Sequence, residues 1–210
     1  MNPVDLRLYL VTDTPEAYPD SNLMGGVEAA LAGGVTVVQY RPTRGTRRAW
    51  YETARTLRGL LRPRKIPLLI NDHVDLALAV EAEGVHVGQE DLPIEVVRTL
   101  LGPGKVVGLS ITAPGQLERV PAGLIDYVGV GPVFPTGSKA DAAPALGLEG
   151  LAARVRESVW PVVAIGGIST DTAAAVAATG VSGLAVISAL SRAADPAEAA
   201  RTLRRHFPSP

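Results

Sequence analysis

The sequence contains no cysteine. Disulfide bonds, a cysteine nucleophile and cysteine-ligated zinc or iron–sulfur centres are therefore excluded. Neither sign of charge is in excess, because 20 basic and 21 acidic residues leave a formal net charge of −1. This balance argues against a protein that binds nucleic acid through bulk charge. No apolar run approaches the roughly 20 residues that span a bilayer, and residues 1–5 do not read as a secretory signal. We therefore expect a soluble cytoplasmic protein.

Short β-branched stretches alternate with longer Ala-, Leu- and Arg-rich stretches along all 210 residues. This alternation predicts eight strand–helix pairs. The strands are apolar throughout, which is typical of a parallel sheet buried on both faces. No linker or composition shift marks a boundary, so we predict an α/β protein with a single (β/α)8 barrel domain over residues 1–210. An open doubly wound sheet is the alternative, and the lack of a GxGxxG motif in the first strand–helix turn disfavours it.

The predicted elements have these bounds. Strands are expected at 6–11, 36–40, 67–70, 85–87, 106–110, 127–130, 162–165 and 183–187. Helices are expected at 26–32, 50–61, 74–83, 94–101, near 114–120, and at 148–158, 170–179 and 196–206. Glycine precedes valine at three helix–strand joints, where a left-handed residue can end the helix: Gly34, Gly84 and Gly180.

Polar residues concentrate where the predicted strands end, which is where such barrels carry their active sites. Gly166 and Gly167 end the seventh strand, and Ser188 follows the eighth strand just before a short helix-prone segment. Backbone N–H groups and a helix N-terminus at these two loops predict a phosphate site. The alternative is that the two glycines only make a tight turn.

Two aspartates follow neighbouring strands. Asp72 leaves the third strand and Asp91 leaves the fourth, so their carboxylates could converge on Mg²⁺, which takes one or two protein carboxylates beside water and phosphate oxygens. As an alternative, each aspartate could be the N-cap of the helix that follows it.

A cationic loop follows the sixth strand. Residues 136–139 can offer hydroxyls, backbone N–H groups and the Lys139 ammonium to a phosphate. The planar guanidinium of Arg41, at the end of the second strand, can add further N–H donors. A solvated loop lysine is the alternative for Lys139. Together with the carboxylates and the second phosphate site, these groups suggest a metal-bound polyphosphate and a monophosphate as substrates. His73 is interpreted as a helix cap and His86 as structural, and neither is given a catalytic role.

Seven stretches of the chain match a known family. They are VVQYR (37–41), INDHVDLAL (70–78), GVHVGQEDL (84–92), VVGLS (106–110), DYVGVGPVFPTGSKADA (126–142), AIGGIS (164–169) and VISALS (186–191). Through them the chain resembles the thiamine-phosphate synthases from end to end. The resemblance implies a (β/α)8 barrel that joins a hydroxymethylpyrimidine diphosphate to a hydroxyethylthiazole phosphate, with Mg²⁺ as cofactor and release of pyrophosphate.

The resemblance also implies roles for individual residues. Asp72 and Asp91 would bind Mg²⁺. The pyrimidine diphosphate would be held by Gln39, Arg41, Asn71, Ser110 and Lys139, and the thiazole phosphate by Thr136, Ser138, Gly167, Ile187 and Ser188. In a dissociative reaction, Arg41 and Lys139 would neutralise the departing pyrophosphate and Ser110 would hydrogen-bond it. Small-molecule substrates are expected, without nucleic acid or membrane, and a homo-oligomer is left open.

The chain departs from the family pattern at two places. Family members usually carry Arg-Glu-Lys where this chain has Arg41, Pro42 and Thr43, and Arg44, Arg47 or Arg48 are candidates for the missing cation. The usual Ser-x-His-Thr reads here as residues 110–113 without histidine. Two other functions stay open: a thiazole tautomerase, which shares the thiazole-phosphate site, and a non-catalytic phosphate-binding barrel.

Overall fold

The barrel seen in the computed structural model is closed. The structure describes residues 4–137 and 144–207. Within them, eight parallel strands pair in sequence order, and the eighth pairs with the first. The predicted (β/α)8 barrel is thereby confirmed, and the open sheet is ruled out. The strands are β1 (Leu8–Val11), β2 (Val37–Tyr40), β3 (Leu68–Asn71), β4 (Gly84–Val87), β5 (Val106–Ile111), β6 (Tyr127–Val130), β7 (Val162–Ile165) and β8 (Gly183–Val186).

Helices on the outside of the barrel connect most of the strands. They are α1 (Leu23–Ala32), α2 (Arg47–Leu61), α3 (Val74–Ala79), α4 (Ile94–Leu101), α5 (Gly147–Glu157), α6 (Ala173–Ala177), α7 (Ser188–Ser191) and α8 (Pro196–Arg204). Among the residues that the structure describes, no helix has the length and apolar character that a membrane crossing needs.

Most of the predicted helices differ from the observed ones in at least one bound, and three of the differences have a clear local description. Helix α2 begins before residue 50, because Thr46 caps it by accepting a hydrogen bond from the Ala49 N–H at 3.2 Å. Helix α3 ends at Ala79 rather than 83, since Glu81 has a left-handed φ of 53°. The segment near 114–120 contains only a 3₁₀ turn at Leu117–Arg119.

The glycines at the helix–strand joints do not all serve one purpose. Gly34 and Gly180 have φ values of 102° and 89°, as predicted for residues that end a helix. The prediction is wrong for Gly84, which is the first residue of β4. A Cβ there would lie 2.0 Å from the Val106 carbonyl oxygen, so Gly84 permits the close approach of the neighbouring strand.

Alternate strand residues point into the barrel, as the period of a strand requires. Leu8 and Leu10 belong to the large core between strands and helices, while Tyr9 belongs to a smaller cluster inside the barrel. The smaller cluster also contains Leu6, Val11, Val37, Leu69, Tyr127, Val163 and Ala185. Two of its members are tyrosines, so the interior carries hydroxyl groups beneath the carboxyl ends of the strands.

Candidate active site

A cavity of about 620 Å³ lies at the carboxyl ends of the strands, and all eight strands or the loops that follow them contribute to its wall. Ten residues predicted to form the site line it: Gln39, Arg41, Asn71, Asp72, Asp91, Ser110, Thr136, Gly167, Ile187 and Ser188. Ser138 and Lys139 lie outside the described residues. The structure therefore brings the described site residues together, while their individual roles stay predictions.

The two aspartates are held at the cavity by contacts within their own loops. The Asn71 amide donates to Asp72 Oδ2, and Asp72 itself has a left-handed φ of 60°. The Gly88 N–H donates to Asp91 Oδ2 at 2.7 Å. Neither aspartate is a helix N-cap, because His73 and Pro93 occupy the cap positions of α3 and α4. The capping interpretation is therefore wrong for both.

The donor set at the cavity fits a hard divalent cation. Within residues 4–137 and 144–207, no three His, Asp or Glu side chains converge as a ready-made metal cage. The carboxylates of Asp72, Glu90 and Asp91 line the cavity. Carboxylate oxygens are ligands that Mg²⁺ accepts beside water and phosphate oxygens, so these residues fit such a cation.

The glycine turn after β7 packs directly on the loop after β6. Gly166 and Gly167 have φ values of 99° and 67°. A Cβ on Gly167 would lie 2.7 Å from the Phe134 Cβ and 2.8 Å from the Pro135 carbonyl oxygen. The turn therefore does more than reverse the chain, because its lack of side chains lets the loop carrying Thr136 sit against the cavity.

Replacing Gly167 by alanine should test this packing. We expect the variant to lose about 1–3 kcal/mol of unfolding free energy, because the new Cβ meets both an unfavourable φ and the Phe134 loop. Urea unfolding of the variant beside Gly104→Ala measures the effect, since Gly104 has open space around it. Equal stability of the two variants would contradict the packing argument.

Four hydrogen bonds link side chains across the inside of the barrel. Gln39 Nε2 donates to the Tyr9 hydroxyl at 2.7 Å, and that hydroxyl lies 2.8 Å from the Tyr127 hydroxyl. His86 Nδ1 lies 2.8 Å from the Tyr127 hydroxyl, and His86 Nε2 lies 2.9 Å from Ser110 Oγ. We call these five side chains the interior chain. All of them line the cavity.

Sequence reasoning missed the interior chain. His86 lies within a strand as predicted, but its ring reaches the cavity and Ser110, so it belongs to the site wall. Burial lowers the pKa of His86 to about 4, which makes the imidazole neutral at pH 7. The available signal was the alternation of the strands, which places Tyr9, Gln39 and Tyr127 on the inward face together with the apolar interior.

Two glycines make room for the interior chain. A Cβ on Gly108 would lie 2.2 Å from Tyr127 Cζ, and a Cβ on Gly129 would lie 2.9 Å from His86 Cε1. Any side chain at either position would displace one of these rings. Gly108 in β5 and Gly129 in β6 thereby permit a polar network inside an apolar barrel.

The remaining sequence candidates lie beside the cavity. His73 occupies the N-cap position of α3, as predicted, although its side chain makes no capping hydrogen bond. Its ring instead stacks on Trp50 with a centroid distance of 5.0 Å. Arg47 pairs with Asp75 instead of reaching the cavity. None of the three arginines proposed to replace the family lysine, Arg44, Arg47 and Arg48, is part of the cavity wall formed by the described residues.

Comparisons with known proteins agree on one family. A family model described as thiamine monophosphate synthase matches residues 8–190. The thiamine-phosphate synthase of Azorhizobium caulinodans is 49% identical over 203 residues, which cover 97% of this chain and 95% of that protein. The one from Laribacter hongkongensis is 48% identical over 200 residues, covering 95% of this chain and 94% of that protein.

Solved structures give the same result. A thiamine phosphate pyrophosphorylase from Pyrococcus furiosus superposes with a TM-score of 0.85 at 40% identity, covering 97% of this chain and 96% of that one. A 3-hexulose-6-phosphate synthase superposes with a TM-score of 0.68 at 19% identity, covering 97% of this chain and 100% of that one. This second similarity is one of fold alone.

Proposed function

Because the chain belongs to the thiamine monophosphate synthase family, we propose that it joins 4-amino-2-methyl-5-(diphosphooxymethyl)pyrimidine to hydroxyethylthiazole phosphate. The products are thiamine phosphate and pyrophosphate, so the enzyme is a transferase of thiamine biosynthesis. The observation that carries this proposal is the match to thiamine-phosphate synthases over nearly the whole chain, at up to 49% identity among the relatives compared. The cavity supports it, because carboxylates after β3 and β4 and the glycine turn after β7 all line it.

The two substrates would occupy different parts of the cavity wall. The ends of β2, β3 and β5, together with Lys139 after β6, would offer donors to the pyrimidine diphosphate, and the turns after β6, β7 and β8 would offer hydroxyls and N–H groups to the thiazole phosphate. On the pyrimidine side we place Gln39, Arg41, Asn71, Ser110 and Lys139, and on the thiazole side Thr136, Ser138, Gly167, Ile187 and Ser188.

Mg²⁺ is the proposed cofactor, and Asp72 and Asp91 would hold it. When bound, it would neutralise negative charge on the diphosphate. The carboxylates of this chain therefore serve to bring a cation to a substrate that is itself an anion, which is why two oxygen ligands from the protein suffice.

The proposed reaction requires neither a strong nucleophile nor a general base from the protein. In the proposed dissociative path, the C–O bond to the diphosphate breaks first, and the electron-rich aminopyrimidine stabilises the methylene cation. The thiazole nitrogen then supplies the electron pair of the new C–N bond, and pyrophosphate departs with the electrons of the broken bond. Arg41 and Lys139 would neutralise that leaving group. The lack of cysteine and a His86 ring bonded at both nitrogens agree with this scheme.

A product assay tests the function directly. Purified protein with both substrates and Mg²⁺ should release pyrophosphate, and omission of either substrate should abolish the release. A thiazole tautomerase would change the thiazole phosphate without the pyrimidine, and a binding barrel would release nothing. Either outcome would overturn the proposal.

Ser188→Asp should separate the two substrate sites. The new carboxylate would lie where we place the thiazole phosphate, so we expect the KM for that substrate to rise by at least about tenfold while diphosphate binding stays nearly unchanged. Ser182→Asp is the matched control, because Ser182 is exposed at the opposite end of β8. Equal losses for both substrates in Ser188→Asp would contradict the partition.

Further properties are proposed with the function. We propose a cytoplasmic enzyme with a single domain over residues 1–210 that acts on small molecules and needs no nucleic acid or membrane. A homo-oligomer is compatible with this proposal, and size-exclusion chromatography with light scattering measures the oligomeric state.

A further inference from the structure

Two buried hydroxyl groups have no part in the site described above. Besides the tyrosines, three polar side chains of the described residues are buried: Thr12, Gln39 and Ser191, which are 1%, 4% and 0% exposed. Gln39 faces the cavity, whereas Thr12 and Ser191 are not part of the wall that the described residues form. Burial of a hydroxyl group is costly unless it is hydrogen-bonded, so the bonds of these two groups indicate their purpose.

Ser191 joins the end of α7 to the loop after β1. Its hydroxyl donates to Asp13 Oδ2 at 3.2 Å, although 178 residues separate the two along the chain. The neighbouring Leu190 is buried in the core between strands and helices. Apolar packing has no direction, so Leu190 alone would leave the turn free to rotate. The hydrogen bond from Ser191 to Asp13 supplies that direction.

The Asp13 carboxylate is held in place from its own side. Its Oδ1 accepts from the Thr14 N–H at 2.9 Å, and the Asp13 N–H donates to the Tyr18 hydroxyl at 3.3 Å. The hydroxyl of the preceding residue, Thr12, accepts from the Arg41 N–H at 3.0 Å and so ties this loop to the end of β2. Asp13 is therefore a fixed point relative to the sheet.

Ser191 is bonded in turn to the residues that we place at the thiazole phosphate. Its backbone N–H donates to the Ile187 carbonyl oxygen at 3.0 Å, and α7 begins at Ser188. Ile187 and Ser188 both line the cavity. Since α7 has four residues and no side-chain cap, its few internal hydrogen bonds do not fix its position. A displacement of Ser191 would therefore move Ile187 and Ser188 with it.

We propose that Asp13 is a positioning residue for the thiazole phosphate, acting through Ser191 on the turn that carries Ile187 and Ser188. The proposal rests on the proposed function for the identity of this ligand. Asp13 is not part of the cavity wall formed by the described residues, so it acts without touching the substrate. Its loss should therefore weaken the binding of one substrate and spare the other.

Asp13→Ala tests the proposal through the two Michaelis constants. We expect the KM for the thiazole phosphate to rise by at least about tenfold, because Ile187 and Ser188 lose their fixed orientation. The KM for the pyrimidine diphosphate and kcat at saturation should stay within about twofold of the wild type, because the reacting atoms keep their contacts. An equal rise in both KM values, or an unchanged KM for the thiazole phosphate, would overturn the proposal.

Asp13→Asn separates the hydrogen bond from the charge. The amide oxygen can accept from the Thr14 N–H while the NH₂ group donates to Ser191 Oγ, so the connection to α7 is kept without a negative charge. We expect this variant to have nearly the wild-type KM for the thiazole phosphate. A loss as large as that of Asp13→Ala would mean that the charge of Asp13 acts instead, which contradicts the proposal.

A double-mutant cycle shows whether Asp13 acts through Ser191. Ser191→Ala should raise the KM for the thiazole phosphate as much as Asp13→Ala does. The double variant should show no further rise, because both substitutions remove the same bond. Effects that multiply in the double variant would mean that the two residues act independently, and the proposal would then be wrong.

Asp195→Ala is the matched control. The Asp195 carboxylate also accepts from a backbone N–H, that of Glu198 at 3.0 Å, and it caps α8 outside the cavity wall formed by the described residues. This variant should be less stable than the wild type but should keep both KM values. A rise in the KM for the thiazole phosphate as large as that of Asp13→Ala would attribute the effect to general destabilisation and overturn the proposal.

Hydrogen exchange tests the same contact without turnover. In the free protein, we expect the Ser191 N–H to exchange at least about tenfold faster in Asp13→Ala than in the wild type, and at nearly the wild-type rate in Asp13→Asn. Unchanged exchange in Asp13→Ala would overturn the proposal. If the wild type failed to make thiamine phosphate, the proposed function would fail, while this measurement would still decide whether Asp13 holds α7.

Discussion

Alanine at position 72 or 91 is expected to lower kcat at least about a hundredfold, which corresponds to about 2.7 kcal/mol of barrier. Both aspartates line the cavity, and their carboxylates are held by loop contacts from Asn71 and Gly88 rather than by helix N-termini. Their removal would leave the diphosphate charge without its proposed cation. Steady-state kinetics at limiting and at saturating Mg²⁺ measure the effect, and the apparent affinity for Mg²⁺ should fall in both variants.

Glu95→Ala serves as the control for these variants, because Glu95 is an exposed carboxylate in the first turn of α4. It should keep wild-type kinetics. Near-normal turnover of both aspartate variants at limiting Mg²⁺ would refute the metal assignment. Unfolding curves recorded in parallel separate a loss of chemistry from a loss of folded protein.

A trifluoromethyl group in place of the pyrimidine methyl group should slow the chemical step by about a thousandfold, or about 4 kcal/mol. An electron-withdrawing substituent destabilises a methylene cation, and the proposed path requires that cation before the thiazole nitrogen attacks. Single-turnover kinetics with the two diphosphates isolate the chemical step from product release. Equal chemical rates would reject the cation and indicate direct displacement.

The binding of the fluorinated diphosphate is the control in that experiment. Its Kd should lie close to that of the methyl compound, because Arg41, Lys139 and the aspartates are placed at the diphosphate and not at the substituent. A slow reaction combined with normal binding assigns the effect to the barrier.

The barrel architecture could be predicted from the sequence, because each strand of the barrel is a short apolar run between turn residues. The bounds of Tyr127–Val130 and Val162–Ile165 were predicted to the residue. The neighbourhood of Asp72, Asp91 and Ser188 could also be predicted, since all parallel strands deliver their carboxyl ends to one face. Boundaries that depend on one side chain, such as the Thr46 cap of α2, were missed.

The interior chain could not be read from local pattern. Tyr9 and Tyr127 are 118 residues apart, and their contact exists only because β1 and β6 face each other across a closed barrel. His86 between two valines resembles any core residue of a strand until Gly108 and Gly129 are seen to leave space for its ring and that of Tyr127. Contacts of this kind depend on barrel closure and on side-chain volume together.

The most direct test of the proposed function is to detect the new bond between the pyrimidine methylene carbon and the thiazole nitrogen. The wild-type enzyme with Mg²⁺ would receive a diphosphate labelled with ¹³C at the methylene and a thiazole phosphate labelled with ¹⁵N. The proposed reaction predicts thiamine phosphate with a one-bond carbon–nitrogen coupling, together with an equal amount of pyrophosphate. Hydrolysed pyrimidine, altered thiazole phosphate or unchanged substrates without that coupling would contradict it.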